Sequence, residues 1–334
     1  MAEGRVLRQL IRAGAQRDNS AFREAAERVI SDERAKNHHL LANDLERILY
    51  GENSKAPGSP RRTYDIPKDG ERGLELLSVR VPVRDLKDIV LADGNKTTIE
   101  EVLLEQNRTD LLSGYGLKPI QRLLFYGPPG CGKTSTAEVL ATELGIELVT
   151  VRFDAVVSSF LGETSANLRK VFDFLSSGRF VGLFDEFDAI GKEREDSAEH
   201  GELRRVVNAF LQLLDSYRGQ SILIAATNHE RLLDRALWRR FDEVLLLDKP
   251  DPAQLKRVFS AKLRGVRHEL PLEDDAFIAG FVGFAHADVE RVLIRAIKAM
   301  ILKGREFLTV DLVGDARARE EHRSVLVRSP GKND

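Results

Sequence analysis

The spacing of apolar positions separates the start of the chain from the rest. Over about the first fifty residues, apolar side chains recur at helical spacing, and Val6, Leu7 and Leu10 share one helical face. Residues 1–50 are therefore predicted to form a small helical bundle. Residues 51–73 are rich in glycine, proline and charge and have little to bury, which is typical of a linker.

Short apolar runs alternate with amphipathic stretches over residues 74–250. This alternation predicts an α/β domain whose parallel sheet is covered by helices on both faces. Residues 251–313 show mainly the helical period and are predicted to form a small all-α domain. Residues 314–334 form a charged tail whose composition is compatible with disorder. The strand candidates are Leu123–Tyr126, Glu147–Phe153, Phe180–Phe184, Ser221–Ala226 and Glu243–Leu247, and helix candidates include Thr134–Leu144 and Glu202–Leu214.

Composition and charge narrow the possible functions. The chain has 334 residues, of which 42% are hydrophobic and 31% charged, as in an ordinary globular protein. Its net charge of -2 provides no overall basic field to attract nucleic acid or anionic lipid. One cysteine cannot form an internal disulfide, which fits a reducing compartment. No apolar run is long enough to span a bilayer and no signal peptide is evident, so we expect a cytoplasmic protein without a membrane partner.

The clearest candidate chemistry lies in GPPGCGKT, which matches the spacing G-x-x-x-x-G-K-[ST] of a phosphate-binding loop. The motif follows a predicted strand and opens a predicted helix, so its backbone N–H groups and the helix N-terminus can face phosphates. Lys133 is predicted to reach the β- and γ-phosphates of ATP, and Thr134 to ligate Mg²⁺. A glycine turn without a ligand is the alternative. The predicted nucleotide-binding residues of this loop are Gly127, Pro128, Pro129, Gly130, Cys131, Gly132, Lys133, Thr134 and Ser135.

Polar residues end two other predicted strands. In VGLFDEFDAI, Asp185 and Glu186 follow an apolar run and are predicted to lie at the carboxyl edge of the sheet, where ligands bind in open α/β folds. Asp185 is predicted to hold Mg²⁺, and Glu186 to orient and polarise the attacking water. Asn228, after ILIAAT, is predicted to position the same water or to contact the γ-phosphate. The alternative is that each is merely a polar residue at the end of a strand.

Arg239 and Arg240 stand just before a predicted strand in ALWRRFDEVLLL. Adjacent arginines are commonly a solvated surface pair, and this interpretation stays open. The second interpretation is that they contact the γ-phosphate bound by a neighbouring subunit. An arginine supplied in this way contributes about 10³–10⁵ in rate.

Several motifs follow one another in a specific order: GPPGCGKT, FLGET, LFDEFDAIG, GELRRVVNAFLQLLD, AATN, ALWRRFD and GFAHADVERV. As a set, over Leu86 to Leu312, they resemble the AAA family of ATPases within the AAA+ group of P-loop NTPases. The chain is also similar to stand-alone bacterial members with a short helical N-domain. The resemblance implies an ATP-driven homo-oligomeric ring, usually a hexamer, whose nucleotide domain carries a helical lid from about Asp251.

The resemblance also implies roles for residues outside the phosphate loop. Phe160 and Leu161 are expected in a central pore loop that grips an extended polypeptide, although Phe160 alone could equally be an ordinary buried residue. The adenine pocket is expected to include Ile89, Val90, His286 and Ala287. A helix N-terminal histidine that faces water is the alternative for His286.

Three hypotheses of function remain at this stage. The first is an ATPase that remodels, unfolds or threads proteins, with the N-terminal bundle recruiting a protein substrate or adaptor. The chain contains no HExxH or GxSxG protease motif, so any proteolysis would need a separately encoded protease. The second is a nucleic-acid motor or loader, which the net charge and the lack of a DNA-binding motif disfavour. The third is a scaffold that assembles on ATP and performs little work.

Overall fold

The computed structural model describes residues 19–35, 45, 64–157, 161–187, 200–228 and 238–328. Most of the predicted N-terminal bundle and of the linker therefore lies outside the described residues. Within the bundle, helix α1 (Asn19–Ala35) is described, and its Ala25 and Ile30 are buried.

A six-stranded sheet forms the centre of the nucleotide domain, in the order β1-β3-β4-β5-β2-β6. The pairs β3–β4, β4–β5, β5–β2 and β2–β6 are parallel, as predicted. Strand β1 pairs antiparallel with β3 at one edge and was not predicted from the sequence. The strands are β1 (Leu77–Arg80), β2 (Arg122–Tyr126), β3 (Leu148–Val151), β4 (Val181–Phe184), β5 (Ile222–Thr227) and β6 (Glu243–Leu246).

Helices cover both faces of this sheet because successive strand residues point to opposite sides. Leu124 packs among side chains of α6 (Leu161–Ser176) and α7 (His200–Ser216). Its neighbours Leu123 and Phe125 pack among those of α2 (Asp93–Asn107) and α4 (Lys133–Leu144) on the other face. All residues of β4 and β5 are buried, as expected for central parallel strands. The helices of this domain are α2 (Asp93–Asn107), α3 (Thr109–Gly114), α4 (Lys133–Leu144), α5 (Phe153–Val156), α6 (Leu161–Ser176) and α7 (His200–Ser216).

The predicted lid is helical and has its own hydrophobic core. Its first helix begins where Asp251 accepts a hydrogen bond from the backbone N–H of Gln254 (2.7 Å), with proline at the first helical position. Phe259 and Phe281 are buried at the centre of this core. The lid helices are α8 (Pro252–Lys262), α9 (Asp275–Ala279), α10 (His286–Leu302) and α11 (Val310–Arg328).

Disorder, which the composition permitted for residues 314–334, is not found over residues 314–328, which are helical. The domain boundary predicted at Val313 also falls inside this helix. Helix α11 is continuous from Val310 to Arg328. Leu312, Val313 and Ala316 pack into the lid core, so tertiary contacts stabilise a segment that is rich in charged residues. Across the described ranges, none of the helices combines the length and apolarity needed to cross a bilayer.

Candidate nucleotide-binding site

The phosphate loop connects β2 to α4, and its glycines meet specific conformational demands. Gly127 has φ 137°, and a Cβ there would collide with the carbonyl oxygen of Leu247. Gly130 and Gly132 have φ 77° and 94°, which side chains rarely adopt. A Cβ on Gly130 would also stand 3.1 Å from that of Ala287 in the lid. The loop therefore needs glycine both for its own turn and for its contact with the lid.

Lys133 is held inside this loop. Its side chain is buried, and its Nζ donates to the carbonyls of Gly127 (2.7 Å) and Pro128 (2.9 Å). Backbone carbonyls are neutral acceptors, so phosphate oxygens would be stronger partners for the same ammonium group. The loop thus presents a positive charge at the N-terminus of α4.

Thr134 and Asp185 bring the loop and the sheet edge together. The hydroxyl of Thr134 donates to a carboxylate oxygen of Asp185, which directly follows β4, over 2.6 Å. The other oxygen of Asp185 accepts from the backbone N–H of Glu186 (3.0 Å). Hydroxyl and carboxylate oxygens suit Mg²⁺, which commonly takes few protein ligands and completes its shell with water and substrate phosphates. Separately, the described part of the chain contains no cluster of three His, Cys, Asp or Glu residues able to hold a metal.

Glu186 has an unusual backbone. Its φ of 52° lies in the left-handed region, where non-glycine residues are uncommon. The next residue fixes this conformation, because Phe187 is buried and its N–H donates to the carbonyl of Ala226 on β5 (2.9 Å). The carboxylate of Glu186 remains exposed at the mouth of the site.

One cavity of about 330 Å³ lies where the loop, the sheet edge and the lid meet. Its volume falls in the range of small-molecule sites. Gly127 and Pro128 belong to the loop but do not line this cavity. The predicted residues that line it are Ile89, Val90, Pro129, Gly130, Cys131, Gly132, Lys133, Thr134, Ser135, Asp185, Glu186, Asn228, His286 and Ala287.

The lid contributes the start of α10 to the cavity. The N–H of Ala287 donates to the carbonyl of Gly130 (3.0 Å), so this helix rests directly on the phosphate loop. Burial lowers the pKa of His286, with a smaller contribution in the same direction from the charge of Lys262. The backbone of Val90 acts in the opposite direction and partly offsets this lowering of the pKa. Both ring nitrogens of His286 are buried, and neither has a hydrogen-bond partner within the described part of the chain. The alternative in which His286 faces water is thus wrong.

The paired arginines lie away from this cavity. Arg239 is exposed, and Nε of Arg240 contacts a carboxylate oxygen of Asp215 on α7 at 2.8 Å. Their role in a neighbouring site stays a prediction. Phe160 lies outside the described residues, and Leu161 begins α6 without a described side chain, so the pore loop also stays a prediction.

Sequence reasoning missed several residues that line the cavity. On α8 and α10 a signal was available, because Val258, Ala261 and Lys262 share one helical face, as do His286, Ala287 and Glu290. Lys262 and Glu290 join these two faces by an ion pair of 2.6 Å. The missed lining residues are Arg84, Leu91, Thr136, Val258, Ala261, Lys262 and Glu290.

Comparison with known proteins agrees with this geometry. Residues 123–249 match the family described as "ATPase family associated with various cellular activities (AAA)". The chain is also 40% identical over 306 residues to an uncharacterized AAA family ATPase of Sinorhizobium fredii, a match that covers 92% of both chains. The matched range 123–249 contains the whole phosphate loop together with Asp185, Glu186 and Asn228.

Proposed function

The chain belongs to the AAA family of ATPases, and from this premise we propose that it forms a Mg²⁺-dependent homo-oligomeric ring, a hexamer, that remodels, unfolds or threads a protein substrate. One observation carries the catalytic part of the proposal. Lys133, the Thr134–Asp185 pair and Glu186 all border one cavity, with the pair only 2.6 Å apart. These are the groups that phosphoryl transfer to water requires.

Each of these groups has a separate task in ATP hydrolysis. Lys133 turns from the loop carbonyls to the β- and γ-phosphates. Thr134 and Asp185 would hold Mg²⁺, which would neutralise phosphate charge when bound. Glu186 accepts a hydrogen bond from the attacking water and polarises it, and Asn228 fixes the water or the γ-phosphate. The lid residues His286 and Ala287, with Ile89 and Val90, enclose the nucleoside.

The position of the arginines supports the proposed ring. Arg239 and Arg240 do not line the cavity of their own subunit. They lie just before the outermost strand β6, and from there we propose that they act on the site of a neighbouring copy, where an arginine would stabilise the charge of the transferred phosphoryl group. This division makes hydrolysis depend on assembly.

A polypeptide is the proposed substrate. The resemblance to the family implies that Phe160 and Leu161 lie in a central pore loop. Aromatic and apolar side chains can grip a polypeptide there with little dependence on its sequence. The net charge of -2 gives no support to a nucleic-acid motor. We propose that residues 1–50 bind the substrate or an adaptor and that any protease is a separate chain. We also propose that the protein is cytoplasmic, a location that its single cysteine fits.

A substrate trap tests the threading proposal. The Glu186→Gln protein is purified with ATP from its own cell extract, beside a Glu186→Gln/Phe160→Ala double variant, and bound macromolecules are identified. Polypeptides enriched only when Phe160 is intact are the expected result. Nuclease-sensitive nucleic acid would instead favour a motor or loader, and a yield indifferent to Phe160 would favour a scaffold.

The same Glu186→Gln variant tests the catalytic assignment without any protein substrate. Hydrolysis is expected to fall by about 10²–10⁴-fold, the contribution of a positioned general base, while ATP binding persists. Rapid turnover in this variant would contradict the role given to Glu186.

A further inference from the structure

The last helix of the described chain carries a buried charge. Glu320 on α11 is only 2% exposed, although its neighbours Arg319 and Glu321 on the same helix are exposed. Its Oε1 accepts from Nε of Arg291 on α10 (2.9 Å) and from Nη1 of Arg323 one turn further along α11 (3.1 Å). An ionised carboxylate is costly to bury, and the two cationic partners of Glu320 offset that cost.

Arg291 connects this buried carboxylate to the beginning of α10. While its Nε bonds Glu320, its Nη2 donates to Oδ1 of Asp288. The other oxygen of Asp288 accepts from the N–H of Ala285 (2.8 Å), which closes the first turn of the helix. One guanidinium therefore links the carboxylate of the last helix to the residue that fixes the N-terminus of α10.

That N-terminus is in contact with the phosphate loop. Ala287 donates its N–H to the carbonyl of Gly130, and the methyl groups of Ala285 and Ala287 lie against the same glycine. Gly130 and His286 line the nucleotide cavity. The chain of contacts thus runs from Glu320 through Arg291 and Asp288 to a wall of the cavity.

We propose that Glu320 is a positioning residue for ATP binding, which acts through Arg291 and Asp288 to hold the start of α10 against the phosphate loop. Glu320 then supports nucleotide binding from the tail helix, although it does not line the cavity. The inference concerns ATP binding by a member of the AAA family and does not depend on ring formation or threading.

Glu320→Gln tests this inference because glutamine keeps the shape and removes the charge. With Arg291 no longer fixed from both sides, the start of α10 is expected to loosen. We expect the KM for ATP and the Kd for Mg²⁺–ADP to rise about three- to tenfold, with kcat little changed. A purely structural role would lower the melting temperature and the active fraction, and therefore apparent kcat, while leaving KM and Kd unchanged.

Two further variants keep the test decisive. Arg291→Lys retains a charge beside Glu320, but one ammonium group cannot span both carboxylates, so it should raise the same constants even if Glu320→Gln fails to fold. Arg323→Gln is the matched control, because it removes the other cation from Glu320 and leaves the Arg291 link intact. We expect it to leave KM and Kd unchanged.

The double variant Glu320→Gln/Arg291→Lys should be no worse than the more affected single variant, since both changes break one connection. The proposal is overturned by unchanged KM and Kd in Arg291→Lys, by an equal rise in Arg323→Gln, or by additive effects in the double variant. Failure of the substrate trap described above would leave these measurements of KM and Kd valid.

Discussion

The hydroxyl of Thr134 donates to the carboxylate of Asp185 across 2.6 Å, and this hydrogen bond joins the phosphate loop to the end of β4. The two oxygens are thereby held together on the side of the loop that faces the cavity. In the proposed mechanism this pair serves twice, as an internal hydrogen bond and as ligands of a cation brought with the nucleotide.

Replacing Thr134 with valine keeps a side chain of similar shape and removes the hydroxyl oxygen. Mg²⁺-dependent hydrolysis is expected to fall on the order of 10²-fold, as after loss of one preorganised electrostatic contact. Thr134→Ser is the control and should retain hydrolysis. Titration of ADP without Mg²⁺ should give wild-type affinity in both variants, and a loss of that affinity in the valine variant would point to a damaged loop instead.

The role of Arg240 can be tested by mixing two inactive proteins. Arg240→Ala should lose about 10³-fold or more of turnover, while an isolated subunit still binds ATP. Glu186→Gln subunits cannot hydrolyse ATP but carry an intact Arg240. If Arg240 acts on a neighbour, mixed assemblies of the two variants regain turnover, and mixtures as inactive as the parents would contradict the assignment.

Asp215→Asn separates this role from the ion pair within the subunit. The substitution removes the charge that Arg240 contacts at 2.8 Å and leaves the arginine in place. We expect turnover to be retained. A loss as large as that of Arg240→Ala would mean that the arginine serves mainly to hold α7.

Cys131 is expected to react slowly with alkylating agents at neutral pH. Its side chain is buried in the phosphate loop, and burial raises the pKa of the thiol, although the nearby charge of Lys133 partly opposes this. Because the thiolate is the reactive form, the alkylation rate should increase as the pH is raised and should fall when ATP fills the cavity.

Once modified, Cys131 should block nucleotide binding by its bulk. Cys131→Ala provides the control, since it should bind ATP and be insensitive to the reagent. Unchanged ATPase activity after complete modification of the wild-type protein would show that the thiol does not share space with the nucleotide.

Acidification should destabilise the protein in part through His286. Burial lowers the pKa of this histidine below its ordinary value of 6.5, so the unfolded chain binds a proton more readily than the folded one. The contribution of His286 to the free energy of unfolding is therefore complete above the unfolded pKa and is lost as the pH falls toward the folded pKa.

The measurement compares melting temperatures of the wild type and His286→Gln at about pH 7.5 and about pH 5.5. The wild type should lose more than the variant, because glutamine does not titrate. Equal losses in the two proteins would place the pH dependence in other groups.

The sequence predicted the central strands because each is a short apolar run between turn and helix signals. It missed β1 because LSVR has apolar side chains at only two of its four positions and pairs with β3, about seventy residues later in the chain. A strand with so weak a pattern is defined by its partner rather than by its own sequence.

The site shows the same contrast. A contiguous motif placed the phosphate loop, and strand ends placed Asp185, Glu186 and Asn228. The tail helix escaped prediction because its stabilising contacts, from Leu312 in the lid core to the Glu320–Arg291 pair, involve other helices. Propensity and composition are weak guides where tertiary contacts decide the outcome.

The left-handed backbone at Glu186 bears on how this protein can change. Glycine adopts such a conformation without the cost that a Cβ brings, so Glu186→Gly would relieve strain while removing the carboxylate. Laboratory selection for heat resistance alone would favour that replacement. The selected variants would have a higher melting temperature and would be unable to hydrolyse ATP. A thermostabilised form of this ATPase must therefore be selected for turnover at the same time.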